Sequence, residues 1–80
     1  MPRTAAYIRE IFRTYAFDYN AGGNLIYAGY ADMGSLKSDA KWAIRKLTYD
    51  GSGNAVDIQW ADGNNNMDNV WDNRAALSYS

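Results

Sequence analysis

The sequence predicts an all-β, or mainly β, single domain. Two features of composition indicate this class. Aromatic residues make up 15% of the chain, and there are seven glycines and eight asparagines among 80 residues. Aromatic residues favour strands, whereas glycine and asparagine favour the tight turns that join them. A protein of long helices would be richer in glutamate and lysine, which occur only once and three times.

A third observation is an internal repeat with a period of 30 residues. Residues 19–26 align without a gap with residues 49–56, and residues 30–32 align with residues 60–62. Both copies read Tyr, Asn or Asp, two small residues, Gly, Asn and then apolar residues, followed later by an aromatic residue and Ala-Asp. Two copies are too few for a solenoid, so the repeat indicates two successive hairpins.

Each copy of the repeat supplies the turn of one hairpin. Gly23 and Gly53 can adopt the positive φ that closes such a turn. Asn20 and Asp50 can accept hydrogen bonds from the backbone that follows them. The predicted turn-forming residues are Asn20, Gly23 and Asn24 in the first hairpin and Asp50, Gly53 and Asn54 in the second.

Strand-like runs flank both turns, at residues 14–19, 25–30, 42–49 and 55–60. In the last run Val56, Ile58 and Trp60 alternate with small or polar residues, which is typical of a half-buried antiparallel strand. We expect the two hairpins and a C-terminal strand at residues 75–80 to form a small curled sheet or barrel. The spacing of Met67, Val70 and Trp71 indicates one helical turn before that strand, and residues 33–40 indicate a surface loop or one helical turn.

The chain divides into an N-terminal segment, residues 1–18, and a single small β domain, residues 19–80, which contains the repeat. In the N-terminal segment Ala5, Ile8, Phe12 and Tyr15 fall on one helical face, which predicts a short helix. Residues 8–19 fit one long strand equally well. An amphipathic segment on so small a domain would serve as a docking arm.

Composition also excludes several classes of function. Eight basic and nine acidic residues give a net charge of −1, so there is no basic surplus for nucleic acid. No apolar run approaches the roughly 20 residues of a membrane span. The chain has neither cysteine nor histidine, which excludes disulfides and removes two common catalytic groups and the preferred zinc ligands. We expect no enzymatic activity, no cofactor or metal, and no nucleic-acid or membrane partner.

Two short patterns approach ligand-binding motifs without matching them. Residues 62, 64, 66 and 68 alternate as oxygen donors, as at the start of an EF-hand loop. Met67 and Asn73 stand where that loop needs a glycine and a bidentate glutamate. Residues 51–53 lack the Gly-Lys-Ser/Thr ending of a phosphate-binding loop. Ordinary turn chemistry explains both patterns.

The aromatic content exceeds what a core of this size needs. One interpretation is that two or three tryptophans simply form the core. A second places part of the set, together with arginine, at an interface with other subunits. A third is a sugar-binding platform. The candidate partner interface comprises Tyr27, Tyr30, Trp42, Arg45, Trp60, Trp71, Arg74 and Tyr79.

Four ordered motifs resemble those of a group of small, mostly uncharacterised proteins of tailed bacteriophages. They are Gly-Asn-Leu-Ile-Tyr at residues 23–27, Trp-Ala-Ile-Arg-Lys at 42–46, Ile-Gln-Trp-Ala-Asp-Gly at 58–63 and Trp-Asp-Asn-Arg at 71–74. The resemblance covers residues 19–80. It implies a non-enzymatic structural component of the virion, associated with the tail or tail fibre and assembled in the host cytoplasm. The implied partners are other virion proteins and copies of the chain itself. Alternatives are a head decoration or collar protein and a small carbohydrate-binding module that contacts the host surface.

Overall fold

A computed structural model of the protein describes residues 12–80. Most of the N-terminal segment, with its predicted helix and docking role, lies outside these residues. The described part of that segment is extended, because residues 13–18 belong to the first strand. The predicted helix is therefore wrong at Tyr15, which lies in this strand.

Four antiparallel strands form a meander: β1 (Arg13–Tyr19), β2 (Leu25–Asp32), β3 (Ala40–Tyr49) and β4 (Ala55–Trp60). A two-residue strand, β5 (Asn69–Val70), pairs with the start of β3, and a 3₁₀ helix (Trp71–Ala76) follows it. The mainly β class and the two successive hairpins are confirmed. The barrel alternative is not, because β1 and β4 remain the two ends of the strand order over the described residues.

The two hairpin turns share one hydrogen-bond pattern, as the repeat predicts. Asn20 Oδ1 accepts the backbone N–H of Gly22 at 2.9 Å and that of Asn24 at 3.0 Å. Asp50 Oδ1 accepts the equivalent pair at the same two distances. The closing glycines have φ of 85° and 86°. In the second turn, the backbone N–H groups of Asn54 and Ser52 donate to the carboxylate of Asp50, and these hydrogen bonds lower the pKa of Asp50.

The strand register divides the sheet into two faces, because residues directly opposite each other point to the same side. On one face Gly29 of β2 pairs with Ile44 of β3. We call this the covered face, because the C-terminal segment, residues 69–80, packs over it. On the other face Arg45 of β3 pairs with Trp60 of β4. We call this the open face.

The hydrophobic core lies between the covered face and the C-terminal segment. Its members are Ala16, Ala31, Trp42, Ile44, Ala61 and Trp71. The rings of Trp42 and Trp71 have centroids 5.7 Å apart. The indole N–H of Trp42 donates to the carbonyl of Leu36 at 3.0 Å, so the buried tryptophan leaves no polar atom unpaired. Both tryptophans belong to the core, as the first interpretation of the aromatic residues predicts.

The C-terminal segment differs from the sequence prediction. The 3₁₀ helix, residues 71–76, begins at Trp71 of the predicted helical turn and extends over the first two residues of the predicted final strand, while β5 occupies residues 69–70. Of the expected strand, Tyr79 forms an isolated bridge with Ala61, and Ser80 exchanges backbone hydrogen bonds with Trp60 at 3.0 and 3.1 Å. Burial of Trp71 in the core sets the position at which the chain turns, and tertiary packing of this kind overrides local spacing.

Candidate functional site

The candidate functional site is the open face of the sheet. In β1 and β2 it presents Tyr15 and Phe17, opposite Tyr30 and Ala28. In β3 and β4 it presents Arg45 and Leu47, opposite Trp60 and Ile58. Alternation along the strands adds further residues to the same face. The side chains of the open face are Arg13, Tyr15, Phe17, Tyr19, Ala28, Tyr30, Asp32, Ala43, Arg45, Leu47, Tyr49, Ile58 and Trp60, and the pairing is irregular at Ile26 and Val56 beside the hairpin turns.

Large apolar side chains on this face are exposed to solvent. Tyr15 and Phe17 in β1 are 58% and 54% exposed, and Ile58 in β4 is 54% exposed. The sequence predicts that Val56, Ile58 and Trp60 share the buried side of a half-buried strand. Ile58 and Trp60 do share a face, but Val56 falls at an irregularity in the strand pairing, and Val56 and Ile58 are both more than half exposed. The C-terminal segment covers the other side of the sheet, so these residues have no described residue packed over them.

The centre of the open face is an aromatic pair. The rings of Tyr30 and Trp60 meet edge to face, with centroids 6.5 Å apart and an interplanar angle of 85°. Tyr30 lies on β2 and Trp60 on β4, so the two rings reach each other across β3. The residue of β3 that pairs with Tyr30 is Ala43, whose small side chain leaves room for this contact. Ala43 is fully buried even though it lies on the open face.

Two guanidinium groups lie over this aromatic pair. The guanidinium carbon of Arg13 is 5.2 Å from the centroid of Tyr30, and that of Arg45 is 5.7 Å from the centroid of Trp60. Both distances are within the range of cation–π attraction. Arg45 is exposed, whereas the Arg13 side chain is only 15% exposed. The aromatic pair therefore holds two positive charges in place on the open face.

A shallow cavity of about 440 Å³ lies at the end of the open face farthest from the hairpin turns. Its lining residues are Asp32, Met33, Gly34, Ser35, Lys41 and Met67. Arg13 borders it, with Nη1 3.4 Å from the sulfur of Met67. Arg13 Nε is buried and 3.7 Å from the Asp32 carboxylate, too far for a hydrogen bond, and it has no hydrogen-bond partner among the described residues. The Arg13–Asp32 contact is thus an ion pair only.

The predicted interface residues separate into three groups. Tyr30, Arg45 and Trp60 lie on the open face. The interface prediction is corrected for Trp42 and Trp71, because side chains that are 1% and 3% exposed offer no surface to a partner.

The remaining three candidates hold the C-terminal segment to the covered face. Arg74 Nε pairs with the carboxylate of Asp18 at 2.9 Å, and its guanidinium lies 4.8 Å from the Trp71 ring centroid. Tyr79 packs against Tyr27 with ring centroids 5.8 Å apart, and its hydroxyl donates to the carbonyl of Arg74 at 2.7 Å. Burial, together with the neighbouring Tyr27, raises the pKa of Tyr79 to about 12.

The sequence interpretation missed Tyr15, Phe17, Leu47, Val56 and Ile58 as surface candidates. The repeat carries a signal that could have found most of them. Equivalent positions that are apolar or aromatic in both copies include 17 and 47, 19 and 49, 28 and 58, and 30 and 60. These four pairs lie on the open face. Equivalent positions on the covered face differ more, as with Tyr27 and Asp57, because the C-terminal segment contacts the two hairpins differently.

Comparisons with known proteins add no relative from which to argue. No protein-family model matches the chain, and no significant match is found among curated proteins or solved structures. Residues 12–80 contain no helix that is long and apolar enough to span a membrane. In the same residues there is no group of three or more Asp, Glu, His or Cys side chains that could hold a metal ion.

Proposed function

We propose that this chain is a non-enzymatic structural protein of a bacteriophage virion, associated with the tail or tail fibre. It works by binding other proteins of the particle through the open face. One observation carries this proposal: Tyr15, Phe17 and Ile58 are more than half exposed on one face of a sheet whose other face contains the core. Several large apolar side chains exposed on the same face are typical of an interaction surface.

The resemblance to small bacteriophage proteins supports the assignment to a virion. Its motifs contain core residues, such as Trp42 and Trp71, and they also contain Arg45 and Trp60 of the open face. A set of motifs that preserved only the fold would have no need of the second pair. We therefore interpret the resemblance as covering both the sheet and the surface that it offers to partners.

The size of the domain supports a role inside an assembly. A chain of 80 residues buries a limited share of its surface, and this one has no cysteine for disulfides. A partner that binds only the folded chain adds stability by mass action. A virion, in which each subunit is held by its neighbours, supplies such partners at high local concentration.

Two alternative functions would use the same surface. A head decoration or collar protein would differ only in where the chain attaches. A carbohydrate-binding module is favoured by the exposed rings of Tyr15 and Phe17, because sugar rings stack on aromatic faces. Burial of Trp42 and Trp71 weakens this second alternative, since it leaves Trp60 as the only partly exposed tryptophan.

The test is the protein composition of purified particles. Particles of the phage that encodes the chain are purified and analysed by mass spectrometry, with the wild-type chain, Phe17→Asp or Leu36→Asp supplied. Leu36 is a matched control, because it is exposed but lies in the link between β2 and β3. We expect wild type and Leu36→Asp in the particles and Phe17→Asp to be excluded. Presence of Phe17→Asp in the particles at the wild-type level, with loss of host-glycan binding in this variant, would favour the carbohydrate alternative. Absence of the wild-type chain from the particles would contradict the virion role.

A further inference from the structure

Charge is distributed unevenly between the open face and the rest of the molecule. The open face and the cavity at its end carry three cations, Arg13, Lys41 and Arg45, and one carboxylate, Asp32. The remaining described residues carry three cations and seven carboxylates. A chain with a net charge of −1 therefore presents its most apolar surface together with a local positive charge.

Two of the three cations are available to a partner. Arg45 and Lys41 are exposed, and neither forms an ion pair with any residue in the range 12–80. Arg45 also lies over the Trp60 ring, which restricts its guanidinium before any partner binds. A restricted guanidinium loses less entropy when it pairs with a carboxylate.

A second copy of the chain is a poor occupant for this face. Packing two open faces together would bring Arg45 and Lys41 of one copy towards those of the other, and like charges across an interface are costly. Packing the open face on the far side of another copy would oppose apolar residues to Asp57 and Asp72, which are exposed there. Neither arrangement matches apolar surface with apolar surface and charge with opposite charge.

Single-stranded nucleic acid is also a poorer match than polypeptide. The exposed rings of Tyr15 and Phe17 could stack on bases, but each nucleotide carries a phosphate and the face offers few cations. The β3–β4 part of the face presents aliphatic side chains at Leu47 and Ile58, and aliphatic side chains provide no stacking platform. An amphipathic polypeptide uses both parts of the face, because its apolar side chains cover the aliphatic part and its carboxylates pair with the cations.

We propose that the open face binds an acidic, apolar polypeptide segment of a neighbouring virion protein. Carboxylates of this segment pair with Arg45 and with Lys41 at the rim of the cavity. Its apolar side chains cover Phe17 and Ile58. This inference rests on the proposed function, because it names the chemistry of the partner that the open face recognises.

Tryptophan fluorescence of the purified full chain tests the proposal. Trp60 is partly exposed on the open face, while Trp42 and Trp71 are buried in the core, so a partner on this face changes the emission of Trp60. The probes are a random copolymer of glutamate and leucine, a copolymer of lysine and leucine, and an oligothymidylate. We expect saturable binding of the glutamate copolymer that weakens as salt is added.

Charge reversal identifies the residue responsible. Arg45→Glu should weaken binding of the glutamate copolymer by about tenfold or more. Lys37→Glu, which reverses an exposed cation in the link between β2 and β3, should leave the affinity unchanged. If Arg45→Glu fails to fold, Arg45→Gln is used and the same direction is expected. Equal binding of the lysine copolymer, tighter binding of the oligothymidylate, or unchanged affinity in Arg45→Glu would each overturn the proposal.

This experiment is separate from the test of the proposed function. If the chain is a component of purified particles but does not bind the glutamate copolymer, the structural role stands and the acidic partner is wrong. If the copolymer binds through Arg45 but the chain is absent from particles, the surface chemistry stands and the virion role is wrong.

Discussion

The indole ring of Trp71 lies directly against the backbone of Gly29. A Cβ atom at Gly29 would be 2.8 Å from two carbons of the ring, Cε3 and Cζ3, and 3.3 Å from the carbonyl oxygen of Ala43. Real Cβ atoms do not approach carbon so closely in packed interiors. The absence of a side chain at Gly29 therefore allows the Trp71 ring to pack directly on the covered face.

Substitution of that glycine should destabilise the fold. Gly29→Ala forces the buried Trp71 ring away from the sheet, and overpacking of this kind costs about 1–3 kcal/mol of unfolding free energy. Gly51→Ala is the matched control, because nothing lies within 4 Å of its Cβ position and its φ is not positive. Urea denaturation of both variants measures the difference. Equal stability of the two variants would contradict the contact.

The ion pair between Arg74 and Asp18 should contribute modestly to stability. Asp18→Asn removes the charge of one partner, and for a half-buried pair we expect a loss of about 1 kcal/mol. Arg74→Ala should cost more, because Arg74 also lies over the ring of Trp71 and donates to the Trp71 carbonyl at 3.2 Å. Thermal denaturation of the two variants shows which one loses more stability. A larger loss in Asp18→Asn than in Arg74→Ala would show that the stacking is unimportant.

Alkaline pH should weaken the fold through Tyr79. Its pKa rises from the ordinary 10.0 to about 12, first because of burial and then because of Tyr27. Above pH 10 the unfolded chain loses the phenolic proton while the folded chain keeps it. The contribution of Tyr79 is therefore complete below pH 10 and is lost as the pH rises towards 12. Unfolding free energies across this range should fall less steeply in Tyr79→Phe than in wild type, and equal slopes would contradict the shifted pKa.

Replacement of an isoleucine should cost more unfolding free energy on the covered face than on the open face. Ile44 is fully buried on the covered face, so Ile44→Ala should cost about 2–5 kcal/mol. Ile58 is more than half exposed on the open face, so Ile58→Thr, which keeps a β-branched side chain, should change stability by less than about 1 kcal/mol. Chemical denaturation of the free chain provides both values. A large loss in Ile58→Thr would mean that the open face is part of the core.

The hairpins could be predicted from the sequence because local chemistry determines them. Asn20 and Asp50 form their hydrogen bonds within four residues along the chain, and Gly23 and Gly53 close the same turns. The turn of the second repeat copy, together with the alternation that follows it, predicts the extent of β4, residues 55–60, correctly. Turn and strand signals of this kind depend only on neighbouring residues.

Which face of the sheet is covered could not be predicted from neighbouring residues. Alternation places Val56 and Ile58 together, but it does not say whether anything packs over them. That depends on which face Trp71 packs against, and Trp71 is far along the chain from its contact at Gly29. The same long-range contact explains why Trp42 and Trp71 were expected at a partner interface when they belong to the core.

Hydroxyl-radical footprinting is the most direct test of the claim that the open face is a binding surface. The free chain and the chain within purified particles are oxidised under the same conditions. The reactivity of Tyr15, Phe17 and Ile58 is then compared with that of Leu36, which is exposed in the link between β2 and β3. We expect the first three residues to become protected in the particle while Leu36 stays reactive. Unchanged reactivity of Tyr15, Phe17 and Ile58 in the particle would contradict the account.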